Sequence, residues 1–312
     1  MTSRPIVVAL FGPTGIGKTA VAVALARLLR ARGEKPVAVS ADALQIYAGI
    51  EIVTGAPTIE ERAELEHRMV GVLPVSETFS AGEYAKRAHG EIDTLLADGR
   101  RPIVVGGTGL YLRAALAELD LRPPPSVERR DFWRAELARC GSAALHSRLA
   151  MLSAGAAAAV APTDSQRIVR SLELVEAGHL PLLAPHEPSQ LWTADTRRPT
   201  VLIGLTMDRA RLYERIEARV DAMIAAGAAD EVRAALAAGA SHTARRALGF
   251  EELLSGDVAA MKQRTRHYAR RQLTWMRKLP QVELLDATDR ESADVAEEVL
   301  VAIDRLAPVP TR

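Results

Sequence analysis

Apolar, β-branched runs punctuate the front of the chain at Ile6–Phe11, Pro36–Ser40 and Pro102–Val105. Two more come late, at Val201–Thr206 and Val282–Leu285. Each reads as a short strand. Between the first two, Thr19–Arg30 (TAVAVALARLLR) is rich in Ala and Leu and reads as a helix. Strands alternating with helices predict an α/β fold whose parallel sheet is covered on both faces. Gly106 and Gly107 close the third run, at the carboxyl edge where open α/β sheets keep their sites.

The middle of the chain has a different texture. Leu121–Pro125 (LRPPP) is a stiff break, and Pro181–Pro188 is a second proline-rich stretch. Between them, Ser126–Gly178 shows no strand pattern and is rich in Ala, Arg and Leu. It reads as a helical insertion, with Ala154–Pro162 an alanine-rich turn and helix. From Asp208 to about Lys278 the pattern is helical again. The expected organisation is residues 1–120 as the first part of an α/β core, 121–195 as the insertion, and 196–312 as the rest of the core with carboxy-terminal helices. No internal repeat is visible.

Composition narrows the classes. A chain of 312 residues with 48% hydrophobic positions supports a substantial core. Its formal net charge is +1, so any nucleic-acid site is a local patch and not a global field. The single cysteine, Cys140, excludes an internal disulfide framework and a cysteine-cluster zinc site. The amino-terminal apolar run is too short for a signal peptide, and no stretch approaches the ~18 apolar residues of a membrane span. A cytoplasmic monomer is expected.

Gly12, Pro13, Thr14, Gly15, Ile16, Gly17, Lys18 and Thr19 read GPTGIGKT and satisfy G-x-x-x-x-G-K-[ST], the phosphate loop of the P-loop NTPase-like folds. Glycines let backbone N–H groups turn towards a phosphate, and the following helix offers its positive end. Lys18 would neutralise a terminal phosphate, and Thr19 would bind Mg²⁺. ATP-using relatives of this loop also carry an apolar strand ending in Asp that supports the metal. Here the best such strand, PIVVGGTG, ends in Gly-Gly-Thr. Asp208 and Asp286 follow later strands whose places in the sheet the sequence does not tell.

The second strand runs into SADALQIYAGIEIVTGAP, with Asp42 one residue beyond its expected end. There a carboxylate sits beside the phosphate loop and can act as a base. Equally, Asp42 before ALQIY would serve as a helix N-cap.

FGPTGIGKT, SADALQIYAGIEIVT, PIVVGGTGLYLRAAL, PTDSQRIVRSLEL, RLYERIEARVDAMIAAG and TRHYARRQLTWMRK follow one another in order. Together they resemble the tRNA dimethylallyltransferase family from about Ile6 to Lys278, nearly the whole chain. The phosphate loop is a generic signal, whereas the combination of SADALQIY, VVGGTGLY and RRQLTW is specific. The resemblance implies that the loop holds the diphosphate of dimethylallyl diphosphate, with Mg²⁺ as cofactor. The acceptor would be N6 of adenosine 37 in the anticodon loop of tRNAs reading codons that begin with U. It implies Asp42 as the base, Thr108 at the reaction centre and Arg219 at the diphosphate, with Arg215 one turn away as the fallback.

Adenosine 37 must be unstacked before its N6 is reached. Asp42, Ala43, Leu44 and Gln45 lie at the expected pocket and could read base edges, as could Thr108. Gln166, Arg167, Ile168, Val169 and Arg170 (QRIVR) offer an amide and two cations in the insertion. By resemblance Arg130 is a tRNA contact, with Arg129 beside it. Between Met261 and Pro280 the chain carries seven Lys and Arg, Arg270 and Arg271 among them, and no Asp or Glu. Gln272 follows directly. On a helix Arg264, His267, Arg271 and Lys278 share one face. Tyr268 and Trp275 are interleaved, either stacking on bases or packing in the core. The plainer reading of the run is a solvated helix face.

Several positions depart from the family pattern. VTGAP stands where Gly-Thr-Ala-Lys-Pro is usual, EHRMVG keeps His67 alone of a histidine pair, and GFEEL replaces Gly-Tyr-Lys-Glu. There is no carboxy-terminal zinc finger. The IVT segment also resembles adenylate isopentenyltransferases, which prenylate free AMP, ADP or ATP. A P-loop nucleotide kinase and a non-catalytic nucleic-acid-binding module also compete.

Overall fold

A computed structural model describes residues 6–122, 125–179 and 190–306. The chain divides into two compact units, Met1–Leu119 with Ala194–Arg312, and Asp120–Thr193.

In the first unit β1 (Val7–Phe11), buried throughout, leads through the phosphate loop into α1 (Lys18–Ala31). β2 (Pro36–Ser40), β3 (Tyr47–Ala48), α2 (Glu51–Thr54), α3 (Ile59–Glu64), β4 (His67–Arg68) and β5 (Leu73–Pro74) follow. α4 (Ala81–Ala97) begins at a capping box in which Ser80 and Glu83 satisfy each other's backbone N–H. It is followed by β6 (Arg101–Gly106) and α5 (Gly109–Leu116). The second unit then contributes α6 (Val127–Leu152), α7 (Ala154–Ala158) and α8 (Ser165–Glu176). The first unit resumes with β7 (Thr200–Thr206), α9 (Arg209–Ala225), α10 (Ala228–Ala237), α11 (Phe250–Ser255), α12 (Val258–Met276), β8 (Glu283–Asp286) and α13 (Ser292–Leu306).

Six strands form one sheet in the order β4-β2-β6-β1-β7-β8, and every neighbouring pair is parallel. The α/β fold read from the sequence is therefore observed. The register decides where chemistry can occur. Phe11 lies opposite Gly106, and Ser40 opposite Val105. The carboxyl ends of β1, β6 and β2 are thus level, and the segments after them emerge side by side. Those segments are the phosphate loop, Gly107-Thr108 and Ala41-Asp42.

α1 buries Val21, Leu25 and Leu29 in a core that also holds Val295, Val299 and Ile303 of α13. The two-residue strand β4 was not expected, because a strand that short has no periodicity to read. Among the described residues no helix is long and apolar enough to cross a membrane.

The second unit is helical. α6 breaks at Gly141, whose φ of 78° lies in the left-handed region that glycine adopts without strain. Its core collects Trp133, Leu145, Leu149, Ile168 and Leu172. The Trp133 indole N–H donates to Glu176 at 3.0 Å, so the ring is buried without orphaning its polar atom. Pro181–Pro188 and Pro123–Pro124 fall outside the described residues.

Candidate active site

Gly15 and Gly17 take φ of 83° and 98°, bending the loop around its own centre. Gly17 is the N-cap residue of α1 and supplies no side-chain cap, so the first-turn N–H groups remain open to an anion. Lys18 Nζ donates to the Gly12 and Pro13 carbonyls, each at 3.0 Å, and so spans the loop. Ile16 points inward and is buried. One amide does not follow the sequence-based expectation. Thr14 N–H donates at 2.9 Å to Oε1 of Gln272 on α12, so this amide of the loop is already occupied.

Asp42 lies two residues beyond β2, not one, and it caps no helix. Its Oδ1 accepts the Leu44 N–H at 2.9 Å, an Asx-type turn. Gln45 uses both ends of its amide: Oε1 accepts from Ser40 at 3.0 Å and Nε2 donates to the Gly55 carbonyl at 3.1 Å. The same Gly55 carbonyl accepts from the Arg219 guanidinium at 3.2 Å. Arg215, one turn earlier on α9, donates instead to the Gly15 carbonyl at 3.0 Å and is exposed.

Electrostatics join these groups. Burial first and the Arg219 charge second, opposed by Asp42, together bring the Lys18 ammonium down to about 8. Burial likewise lowers Arg219, with Asp42 and Glu61 opposing. Lys18, Arg219 and Asp42 therefore feel one another directly, and Arg215 is not in that set. Two half-buried cations with one carboxylate leave an excess of positive charge, which suits a polyanion.

Thr108 occupies the N-cap position of α5, yet its hydroxyl makes no cap hydrogen bond. It lies 2.9 Å from the Tyr268 hydroxyl of α12. Burial and the charge of Asp42 push the Tyr268 phenol up to about 12, so it stays neutral. Gly107 is tightly enclosed: a Cβ there would run into the Gln272 amide, whose Nε2 donates to the Gly107 carbonyl at 2.7 Å.

As for a metal, no group of three or more His, Cys, Asp or Glu that could hold one occurs among the described residues. The protein donors available are the half-exposed Thr19 hydroxyl in the first turn of α1 and the Asp42 carboxylate. Mg²⁺ commonly takes one or two protein groups and completes its shell with water and substrate phosphates, so this donor set fits that ion with a diphosphate present.

The expected RNA surface is rearranged. Gln272 is buried, with both amide ends held by backbone, and it cannot meet RNA. Tyr268 faces Thr108, and Trp275 packs against Gly109, where a Cβ would meet its ring. Lys262, Arg264 and Arg266 pair with Asp221, Glu252 and Glu217. Arg270 and Arg271 are exposed, and Arg271 lies over the Tyr268 ring at 5.7 Å.

In the second unit, Gln166 and Arg167 are exposed, but Ile168 is fully buried in the core and Val169 packs against it. Arg170 donates to the Arg122 carbonyl at 3.0 Å and pairs with Glu173. Arg130 is half-buried in the first turn of α6, with Arg129 exposed beside it. The inward role of Gln272 had a sequence signal. Met261, Thr265, Ala269, Gln272 and Met276 recur at helical spacing, and all are buried.

The IPP transferase family model matches residues 45–279. A tRNA dimethylallyltransferase of Thermobifida fusca (strain YX) is 42% identical over 307 residues, covering 93% of this chain and 94% of its own. That of Symbiobacterium thermophilum is 39% identical over 312 residues, covering 96% and 95%. The crystal structure of a tRNA isopentenylpyrophosphate transferase from Bacillus halodurans matches with a TM-score of 0.67 at 30% identity, covering 97% of this chain and 98% of that one. With a phosphate loop, an acid after β2 and a Gly-Gly-Thr end to β6 on one sheet edge, and with these matches along nearly its full length, the chain belongs to the IPP transferase family.

Proposed function

We propose that the protein transfers the dimethylallyl group of dimethylallyl diphosphate to N6 of adenosine 37 in tRNAs reading codons that begin with U. The products are N6-isopentenyladenosine and diphosphate. The observation that carries this reading is the cluster of Lys18, Arg219 and Asp42 at the phosphate loop, in a chain of this family.

The reaction forms a bond between N6 and the allylic C1 and breaks the bond from C1 to a diphosphate oxygen. Charge builds on the leaving oxygen, and Lys18, Arg219 and the open N–H groups of α1 are set to meet it. Mg²⁺ bound at Thr19 would neutralise further charge on the same group. The N6 lone pair is delocalised into the adenine ring, so the amine becomes a useful nucleophile only as its proton leaves. Asp42 takes that proton. Thr108, beside it on the next strand end, offers a hydroxyl to the reacting nitrogen. Arg270 and Arg271 of α12, with Arg129, Arg130, Gln166 and Arg167 of the second unit, hold RNA phosphates. The protein works as a cytoplasmic monomer, where its RNA substrate is found.

A loop that holds ATP has less support. Asp208 after β7 caps α9, accepting from Ala210 and Arg211, and Asp286 after β8 holds Thr288. Equilibrium titration of the purified protein with dimethylallyl diphosphate and with ATP tests the point. Tight binding of the first and weak binding of the second is expected; the reverse order would overturn the proposal.

A further inference from the structure

α12 carries a polar pair on its inward side, Tyr268 and Gln272, one helical turn apart. Each reaches a different segment of the site. Gln272 accepts from Thr14 N–H of the phosphate loop at 2.9 Å and donates to the Gly107 carbonyl at 2.7 Å. Those partners fix the amide's orientation, since a flipped amide would set donor against donor and oxygen against oxygen. Four residues earlier, the Tyr268 hydroxyl lies 2.9 Å from Thr108 Oγ1.

Both contacts hold a group away from its ordinary partner. A Thr at an N-cap normally turns its oxygen back onto the first helical N–H groups. Thr108 does not, and α5 begins without a side-chain cap. A phosphate-loop amide normally faces the anion, whereas Thr14 N–H faces Gln272. Forgoing the cap leaves the hydroxyl in need of a partner, and Tyr268 supplies the compensating bond. The neutral phenol can donate to Oγ1, leaving the threonine's own proton free to point into the site.

We infer that Tyr268 and Gln272 form a brace that sets the reactive geometry from behind, Tyr268 by holding the Thr108 hydroxyl in the site and Gln272 by holding the phosphate loop against the end of β6. They are positioning residues and touch no substrate. The inference rests on the proposed prenyl transfer, and it changes the role of the helix: the segment that reads as an RNA-binding surface also sets the chemistry.

The test begins with inorganic pyrophosphate binding to the wild-type protein; no binding there would sink the proposed function itself and not the brace. With binding established, Gln272→Met, nearly the same size without the amide, should weaken pyrophosphate about 10-fold. It should leave tRNA affinity unchanged, which also reports that the variant is folded. Tyr268→Phe removes one hydroxyl and should slow single-turnover transfer by roughly 10- to 100-fold, the range expected when a reacting group is misplaced. In a Thr108→Val background the same Tyr268→Phe change should cost nothing further, because its effect passes through Thr108. Additive losses in that double variant, or wild-type pyrophosphate affinity in both Gln272→Met and Gln272→Glu, would overturn the brace. Loss of tRNA affinity with intact pyrophosphate binding would return Gln272 to the RNA surface.

Discussion

One oxygen of Asp42 accepts the Leu44 N–H at 2.9 Å, while its charge is felt at Lys18, Arg219 and Tyr268. The turn and the base can be separated experimentally. Asp42→Asn keeps an oxygen for Leu44 and removes the proton acceptor, so it should lower single-turnover transfer by roughly 10²–10⁴ while tRNA affinity holds. Wild-type rates in that variant would reduce Asp42 to a turn residue. Lys18 makes a second prediction. Burial and Arg219 bring its ammonium down to about 8, so it is mostly charged below that pH and mostly neutral above it. Pyrophosphate affinity should therefore fall as pH rises through about 8, with proton uptake on binding. Lys18→Arg, which stays charged, should lose that dependence; an identical pH profile in both proteins would refute the assignment. At this scale the sequence is informative about residue type and poor about direction. The spacing in GPTGIGKT places Lys18 and Thr19 without ambiguity. It does not reveal that Thr14 N–H is occupied, because the residue that occupies it, Gln272, lies 258 positions later.

Strands and helices were legible wherever burial forces a pattern. β1, β2, β6, β7 and β8 all fall on β-branched runs, and α1 on the Ala- and Leu-rich stretch after the loop. α12 shows where pattern alone fails. Its basic stretch reads as free cations, yet Lys262, Arg264 and Arg266 meet acids 41, 12 and 49 residues away. Local sequence cannot display such pairs, because helix packing creates them. The structure divides the expected RNA helix into paired and exposed cations, and the two classes should behave differently. Arg270→Ala should lower the slope of log K for tRNA against log salt by about 0.7–0.9, the value of one phosphate contact. Lys262→Ala, which removes a partner of Asp221, should leave that slope unchanged. Arg271→Ala should lower both the slope and the transfer rate, because Arg271 also lies over the Tyr268 ring. Equal slopes for all three variants would mean that α12 is a solvated face.

Across the whole molecule, the level ends of β1, β6 and β2 explain why the phosphate loop, the Thr108 hydroxyl and the Asp42 carboxylate emerge side by side although they are far apart in sequence. The second unit has its own core. Ile168, which the QRIVR segment offers as an RNA contact, is instead part of that core. Truncating it to Ala should destabilise the unit by about 2–5 kcal/mol, read by thermal unfolding, whereas Arg167→Ala should leave stability alone and weaken tRNA. The insertion's helical character was readable because no strand pattern competes with it. The inward turn of Ile168 was hidden by the cations around it. The choice of acceptor belongs to this scale too, since a free nucleotide needs only the sheet edge, whereas a tRNA brings a phosphate backbone that exposed cations can meet. A single incubation decides it. The protein is supplied with dimethylallyl diphosphate, Mg²⁺, unmodified tRNA and AMP together, and the nucleosides are resolved after digestion. N6-isopentenyladenosine from the tRNA, with AMP unmodified, is the predicted result. Prenylated AMP with unmodified tRNA, or no transfer to either, would contradict it.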